Sequence, residues 1–159
     1  MTPNSHNNVE AEPGAAPASR QSPNLVALSI ALAQRAHSNQ FRRDRVTPYI
    51  THPQAVAKRV AGDLDEVIAT AWLHDVLEDT CETAESLRRA GICEIVIEAV
   101  TVLTKRGDGY AEYLAQVKSN SIACRVKVAD MLHNLRDNPT DHQIIKYARG
   151  LLILLGEPK

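Results

Sequence analysis

The stretch AWLHDVLEDT, residues 71–80, places a histidine and an aspartate, His74 and Asp75, next to each other in an apolar, helical segment. A buried imidazole beside a buried carboxylate is costly unless another group compensates it. Helical spacing puts Glu78 one turn beyond His74 and Asp79 one turn beyond Asp75. Three carboxylates this close repel one another unless a cation neutralises them, which indicates a divalent metal ion. The alternative for this segment alone is an exposed polar helix end.

Two other segments carry isolated polar side chains in apolar surroundings. Upstream, TPYITHPQAVAKRV (residues 47–60) places His52 at the start of a helix that turns apolar residues toward a core. Downstream, CRVKVADMLHNLRD (residues 124–137) is an apolar helix with one acid, Asp130, in its middle. An acid in such surroundings needs a partner. Each of these two residues, taken alone, is a weaker candidate ligand than the His74–Asp75 pair.

The apolar pattern of the whole chain predicts its fold class. From Leu25 onward, apolar residues recur at helical spacing and strand-like alternation is scarce, so we expect an all-α fold of about seven helices. Residues 1–23 are rich in Pro, Ala, Asn and Ser and are expected to be a disordered tail, which leaves 24–159 as one folded domain. Further helices are predicted near residues 94–103, 110–118, 121–136 and 141–155.

The last apolar run, IIKYARGLLILLG (residues 144–156), is too short to span a membrane. Its composition predicts a buried closing helix, and an oligomer interface is the alternative. Elsewhere, too, no apolar run approaches the roughly 20 residues of a membrane span, and the N-terminus does not resemble a signal peptide. We therefore expect no membrane association and a cytoplasmic location.

Composition excludes several other classes of protein. The chain has 159 residues, of which 44% are hydrophobic and 23% charged, values typical of one globular domain. Its net charge of −1, with basic residues spread along the chain, argues against nucleic acid as a partner. The three cysteines are odd in number and form no CxxC pair, which favours reduced thiols in the core over a disulfide framework.

Taken together, the motifs resemble a known family. His52, the His74–Asp75 pair and Asp130 follow the H…HD…D order of the HD superfamily of phosphohydrolases. The likeness extends over residues 25–136 to the hydrolase domain of the RelA/SpoT group and its stand-alone small relatives, which degrade the guanosine alarmone (p)ppGpp. It implies a compact HD-domain helical bundle. The matching stretches are AHSNQFRR (36–43), PYITHPQAVA (48–57), ATAWLHDVLEDT (69–80), AVTVLTK (99–105) and VKVADMLHNLRD (126–137).

The resemblance implies roles for six of the residues above. Two acids, Glu78 and Asp79, match the acidic pair that orients the attacking water and handles its protons. Two imidazoles and two carboxylates suit a borderline divalent ion, and the family uses Mn²⁺, although another divalent transition metal would also fit. Four protein ligands on a six-coordinate ion leave two positions for water and a phosphate oxygen. The implied ligands are His52, His74, Asp75 and Asp130.

Substrate-binding residues follow from the same resemblance. Arg42 and Arg43 match a basic pair that contacts the base and the phosphates of the nucleotide, and Asn134 matches a residue that contacts the nucleoside. Lys127 and Arg136 are expected to reach phosphates. The loop FRRDRVT (residues 41–47) lacks the glycine usual in the family, and the segment after Arg136 departs from the longer relatives. His6, His37, His133 and His142 are interpreted as non-ligands.

The expected function is that of a metal-dependent hydrolase in the stringent response. It would remove the 3′-diphosphate of (p)ppGpp, giving GDP or GTP and pyrophosphate, and we expect no room for a synthetase domain. Its partner would be a small-molecule nucleotide, and a homo-oligomer is possible. One alternative is an HD phosphatase acting on a deoxynucleoside monophosphate or NADPH. Another is a non-catalytic, nucleotide-binding regulatory module.

Overall fold

The fold is known from a computed structural model of the protein, which describes residues 24–107 and 109–156. In these two ranges the chain is all-α, as predicted, and its only β-type pairing is an isolated antiparallel bridge between Phe41 and Pro48. The helical segments are α1 (Leu25–Ala36), α2 (Thr51–Arg59), α3 (Asp65–Leu73), α4 (Val76–Asp79), α5 (Ala84–Arg89), α6 (Glu94–Leu103), α7 (Tyr110–Ser119), α8 (Ser121–Asn134) and α9 (Asp141–Leu155).

Helix α3 lies at the centre of the bundle, where it packs against α1, α2, α6 and α8. Its sequence is apolar on almost every side, as expected of a helix with neighbours all around it. Ala69, Ala71 and Leu73 have no exposed surface. Because α3 ends at Leu73, His74 and Asp75 lie directly after it, at the edge of the core.

Helices α2 and α8 bring the remaining polar residues to the same place. The side chain of Asn120 caps α8 by accepting a hydrogen bond from the N–H of Ala123 at 2.9 Å. Lys127, Asp130 and Asn134 then follow at spacings of three and four residues, so they share one face of α8. Helix α2 packs against both α3 and α8.

The described residues form nine helical segments rather than about seven. The difference lies in α4 and α5, which have four and six residues and are too short for an apolar period to show. The His74–Asp75 pair does not lie inside one continuous helix, as the sequence suggested, but in a turn between α3 and α4.

Helix α9 has the predicted bounds, but the expectation that it is buried is wrong for one of its faces. Its buried residues are Gly150 and Leu154, on the side that packs against α7 and α8. Ile145 and Leu152, in contrast, are each 52% exposed. An apolar sequence thus predicted the helix correctly and its burial only in part.

The cysteines also differ from expectation. Cys81 and Cys93 are exposed and Cys124 is half-buried, so none of them is a fully buried core thiol, although all three are free. The expected tail, residues 1–23, and with it His6, lies outside the described residues. Among the helices that are described, none has both the length and the apolar character required to span a membrane.

Candidate metal centre

A cleft of about 500 Å³ opens where α2, the α3–α4 turn and α8 meet. Most of the side chains predicted to act in the site line it, while His74 is buried behind its wall. Arg136 instead lines a separate cavity of about 450 Å³ with Lys58, Arg59 and His133. The residues that line the cleft are Phe41, Arg42, Arg43, Arg45, Tyr49, His52, Asp75, Glu78, Asp79, Lys127, Asp130, Asn134 and Tyr147.

Four donor atoms converge at the floor of this cleft. Nε2 of His52 lies 3.2 Å from Nε2 of His74, 3.5 Å from Oδ2 of Asp75 and 3.2 Å from Oδ1 of Asp130. Nε2 of His74 lies 3.1 Å from Oδ2 of Asp75 and 4.0 Å from Oδ1 of Asp130. Among the described residues, His52, His74 and Asp130 form the group of buried side chains that could hold a metal ion, and Asp75 adjoins it.

These distances fit a divalent metal ion. Bonds of about 2.2 Å to an octahedral ion place adjacent donor atoms about 3.1 Å apart and opposite ones about 4.4 Å apart. The separations of 3.1 to 4.0 Å among the four donor atoms lie close to that range. Two imidazole nitrogens and two carboxylate oxygens are a ligand set that suits Mn²⁺, Fe²⁺, Co²⁺ or Zn²⁺.

The orientation of His74 also fits metal binding. Its Nδ1 lies 2.7 Å from the backbone carbonyl oxygen of Ala71, so Nδ1 carries the hydrogen and donates it. The lone pair of the neutral ring is then on Nε2, which faces the other donor atoms. Burial alone would lower the pKa of His74, but the charge of Asp75, followed by that of Asp130, raises it to about 9. The surroundings therefore favour positive charge at this point.

Asp130 is held as a carboxylate by two residues of its own helix. Its Oδ2 lies 2.8 Å from Nζ of Lys127, and its Oδ1 accepts a hydrogen bond from the amide of Asn134 at 2.7 Å. Burial would raise the pKa of Asp130, but Lys127 and the two histidines hold it well below its ordinary value. Lys127 and Asn134, for which the resemblance implies substrate binding, thus contact Asp130 in this structure and also line the cleft.

The two acids of α4, Glu78 and Asp79, line the cleft beside the four converging donor atoms. Oε2 of Glu78 accepts a hydrogen bond from the backbone N–H of Lys105 at 3.1 Å. Oδ2 of Asp79 accepts one from the hydroxyl of Tyr49 at 2.9 Å, and the same hydroxyl lies 2.6 Å from Oδ2 of Asp75. Tyr49 was missed as a site residue. The available signal was its place in the stretch PYITHPQAVA, three residues before His52.

Arg42 and Arg43 contact residues of the segment that follows α8. Arg42 pairs with Asp137, and Nη1 of Arg43 donates a hydrogen bond to Oε1 of Gln143 at 3.3 Å. The loop of residues 41–47 is therefore joined to the segment between α8 and α9 and to the start of α9. Tyr147, on α9, forms another part of the cleft wall.

Three of the histidines interpreted as non-ligands, His37, His133 and His142, belong to the described residues and lie outside the group of donor atoms. Nδ1 of the buried His37 lies 2.7 Å from Oε1 of Gln40. The ring of His133 lies 5.1 Å from the ring of His52. His142 is exposed on α9 and lines a different cavity.

A family model described as "HD domain" matches residues 29–151. These are most of the chain, and they contain every member of the metal-binding group. The chain therefore belongs to the HD domain family.

Two relatives of the chain are named as pyrophosphohydrolases of the same nucleotide. Over 119 residues the chain is 36% identical to a guanosine-3′,5′-bis(diphosphate) 3′-pyrophosphohydrolase of Haemophilus influenzae, covering 66% of this chain and 17% of that protein. It is 34% identical over 119 residues to the guanosine-3′,5′-bis(diphosphate) 3′-pyrophosphohydrolase MESH1 of Danio rerio. The alignment covers 69% of this chain and 66% of that protein. The chain thus spans about a sixth of the length of the bacterial relatives that it matches.

A solved structure has the same fold. It is described as a metazoan orthologue of SpoT that hydrolyses ppGpp. The two structures superpose with a TM-score of 0.67 at 25% sequence identity, over 87% of this chain and 89% of the other. The match confirms the HD-type helical bundle expected from the sequence.

Proposed function

We propose that this chain is a metal-dependent hydrolase that removes the 3′-diphosphate of guanosine-3′,5′-bis(diphosphate), giving GDP and pyrophosphate, with GTP formed from the pentaphosphate. The observation that carries the proposal is the convergence of two histidines and two aspartates beside a second acidic pair in one open cleft. The names and folds of the relatives support the choice of substrate.

The proposed ligands are His52, His74, Asp75 and Asp130, and the proposed ion is Mn²⁺. Their mixed nitrogen and oxygen donors support a transition metal rather than a hard cation, which prefers oxygen alone. When bound, such an ion supplies Lewis-acid chemistry, lowering the pKa of water and withdrawing charge from phosphorus. The cleft lies open beside these four residues, which leaves room for a phosphate group.

The protein's own side chains must transfer protons and orient the attacking water. Hydrolysis joins the oxygen of water to the phosphorus next to the sugar and breaks the bond from that phosphorus to the 3′ oxygen. One proton must leave the water, and one must reach the departing 3′ oxygen. Glu78 and Asp79 line the cleft next to the ligands, so they are the side chains we assign to these transfers.

Arg42 and Arg43 are the residues we assign to the nucleotide. A guanidinium group binds phosphate through paired hydrogen bonds and can also stack on a base. Both side chains line the cleft. Arg42 has Asp137 as its partner in this structure, so a substrate phosphate would compete with that carboxylate.

The proposal keeps two broader expectations from the sequence. The reaction would take place in the cytoplasm, where free cysteines such as Cys81 and Cys93 stay reduced. Its role would be to degrade alarmone in the stringent response. Both depend on the substrate being the one proposed.

A direct competition among substrates tests the proposed function. The purified protein is given Mn²⁺ together with ppGpp, NADPH or deoxynucleoside monophosphates, and pyrophosphate and phosphate are measured separately. We expect pyrophosphate release from ppGpp at the highest kcat/KM of the set. Phosphate release from the other compounds without turnover of ppGpp would identify an HD phosphatase of different specificity. Binding of nucleotides without any turnover would identify a regulatory module.

A further inference from the structure

The hydroxyl of Tyr49 joins two carboxylates that have different proposed tasks. It lies 2.6 Å from Oδ2 of Asp75, a proposed metal ligand, and 2.9 Å from Oδ2 of Asp79, a proposed proton acceptor. The 2.6 Å distance is that of a strong hydrogen bond to an ionised oxygen, and 2.9 Å is within the ordinary range for a hydroxyl donor. Since the hydroxyl has a single hydrogen, the two carboxylates share one donor, and their relative positions depend on it.

A closed cycle of contacts among four residues holds Tyr49 in place. Its backbone N–H donates to the carbonyl of Gln40 at 2.8 Å, and its ring lies 4.9 Å from the ring of the buried His37. The amide nitrogen of Gln40 donates to the backbone carbonyl of Asp79 at 2.6 Å. The amide oxygen of Gln40 faces Nδ1 of His37 at 2.7 Å, so that nitrogen is the donor. These contacts form a closed cycle, in which His37 contacts Gln40, Gln40 contacts Asp79, Asp79 contacts Tyr49, and Tyr49 contacts His37.

Asp79 depends on these contacts because the short helix α4 does little to fix its position. Helix α4 has four residues, and Thr80, directly after Asp79, is already extended. An isolated helical turn is not stable by itself. Gln40 fixes the backbone of Asp79, and Tyr49 fixes its side chain. Both come from the segment between α1 and α2, which also carries Arg42 and Arg43 but none of the proposed metal ligands.

We propose that Tyr49 is a positioning residue that sets the direction of the Asp79 carboxylate relative to Asp75 and so aligns the proton acceptor with the attacking water. The proposal rests on the proposed function for its catalytic consequence. A competing explanation is that Tyr49 supports only Asp75 and hence only metal affinity. The two explanations predict different responses to excess metal.

The first test compares Tyr49→Phe with the wild type in Mn²⁺ titrations of kcat and KM for ppGpp. Outer residues around a metal site commonly change activity or metal affinity by about ten- to a hundredfold. We expect kcat to fall by about that factor at saturating Mn²⁺, with KM changed less than about threefold. Complete recovery of kcat in excess Mn²⁺ would overturn the proposal, because Tyr49 would then act through Asp75 alone.

Tyr113→Phe is the matched control. The hydroxyl of Tyr113 also donates a hydrogen bond, to the backbone carbonyl of Leu103 at 2.7 Å, but Tyr113 is buried and does not line the cleft, whereas Tyr49 is half-buried and does. This variant loses the same chemical group at a position outside the cleft. We expect it to unfold at a lower temperature and to keep the kcat of the wild type. An equal loss of kcat in both variants would overturn the proposal, since general destabilisation would then explain both.

A double-mutant cycle tests whether Tyr49 acts through Asp79. In an Asp79→Ala background, Tyr49→Phe has no carboxylate left to position, so single-turnover rates at saturating Mn²⁺ should not fall further. Losses that multiply in the double variant would contradict the proposal.

Crystal structures of the wild type and Tyr49→Phe with Mn²⁺ give a readout that does not depend on activity. We expect the carboxylate of Asp79 to turn away from its wild-type position while the ligands stay in place. An unmoved Asp79 would overturn the proposal. If the wild type releases no pyrophosphate from ppGpp, the proposed function fails, and the crystal structures still decide the role of Tyr49.

Discussion

Nε2 of His52 lies 3.2 Å from Nε2 of His74, although the two residues come from different helical segments and are 22 positions apart in the sequence. Nδ1 of His74 donates to the backbone carbonyl of Ala71, so in the neutral form that binds metal the lone pair lies on Nε2, which faces His52. Two facing nitrogens beside two carboxylates are arranged to share a cation. The predictions below follow from this arrangement and from the side chains around it.

Added metal should stabilise the folded protein. A ligand that binds only the folded state at a hundred times its Kd contributes about 2.7 kcal/mol, which corresponds to a rise in Tm of roughly 5 to 15 °C for a domain of this size. We expect this rise with Mn²⁺ for the wild type and none for His74→Ala, measured by calorimetry. His142→Ala removes an exposed histidine and is the control. A rise that survives His74→Ala would place the ion elsewhere.

Glu78→Gln should separate catalysis from metal binding. Because Glu78 is assigned to proton transfer and not to the ion, we expect normal metal content and a kcat reduced by about a hundredfold or more. Glu98→Gln, an exposed glutamate of α6, should retain the wild-type rate. Metal content is measured by elemental analysis alongside the rate. Loss of metal with a normal rate per bound ion would make Glu78 a ligand instead.

Arg42→Ala should weaken substrate binding and leave the metal in place. Losing a hydrogen bond between charged groups costs about 1 to 3 kcal/mol of binding free energy, which appears as a higher Kd for ppGpp in calorimetric titrations. Arg125→Ala is the matched control, because Arg125 forms a surface ion pair with Asp63 at 3.0 Å, away from the cleft. Equal affinities of wild type and Arg42→Ala would exclude Arg42 from the binding site.

Lys127→Met should destabilise the fold. Lys127 stays charged despite its burial, which alone would lower its pKa, because Asp130 raises that pKa above its ordinary value. Removing the lysine leaves a buried carboxylate without its cation, at a cost of about 3 to 5 kcal/mol in the free energy of unfolding. Urea denaturation without added metal measures the loss. Lys58→Met, at an exposed position, should change stability by less than about 0.5 kcal/mol. A similar small effect for Lys127→Met would contradict this account of Asp130.

The sequence predicted those features that depend on local pattern. The bounds of α6 and α9 follow from apolar spacing and were predicted correctly. The grouping of His52, His74 and Asp130 was expected from the resemblance to the HD superfamily, whereas the apolar pattern by itself indicated only that each buried polar residue needs a partner.

Features that depend on contacts between distant residues were not predictable in this way. Tyr49 meets Asp79 across 30 positions and Arg42 meets Asp137 across 95, and no local spacing encodes either contact. The exposed face of α9 escaped prediction for a related reason. An apolar helix pattern shows which residues can be buried, but whether a neighbour covers them depends on the whole bundle.

The central claim is that His52, His74, Asp75 and Asp130 together bind one divalent ion, and anomalous X-ray diffraction from crystals grown with Mn²⁺ tests it most directly. We predict a single strong manganese peak among the four side chains, with bonds of roughly 2.0 to 2.3 Å to each. A peak elsewhere, or any of the four donor atoms more than about 5 Å from the ion, well beyond these bond lengths, would contradict the assignment.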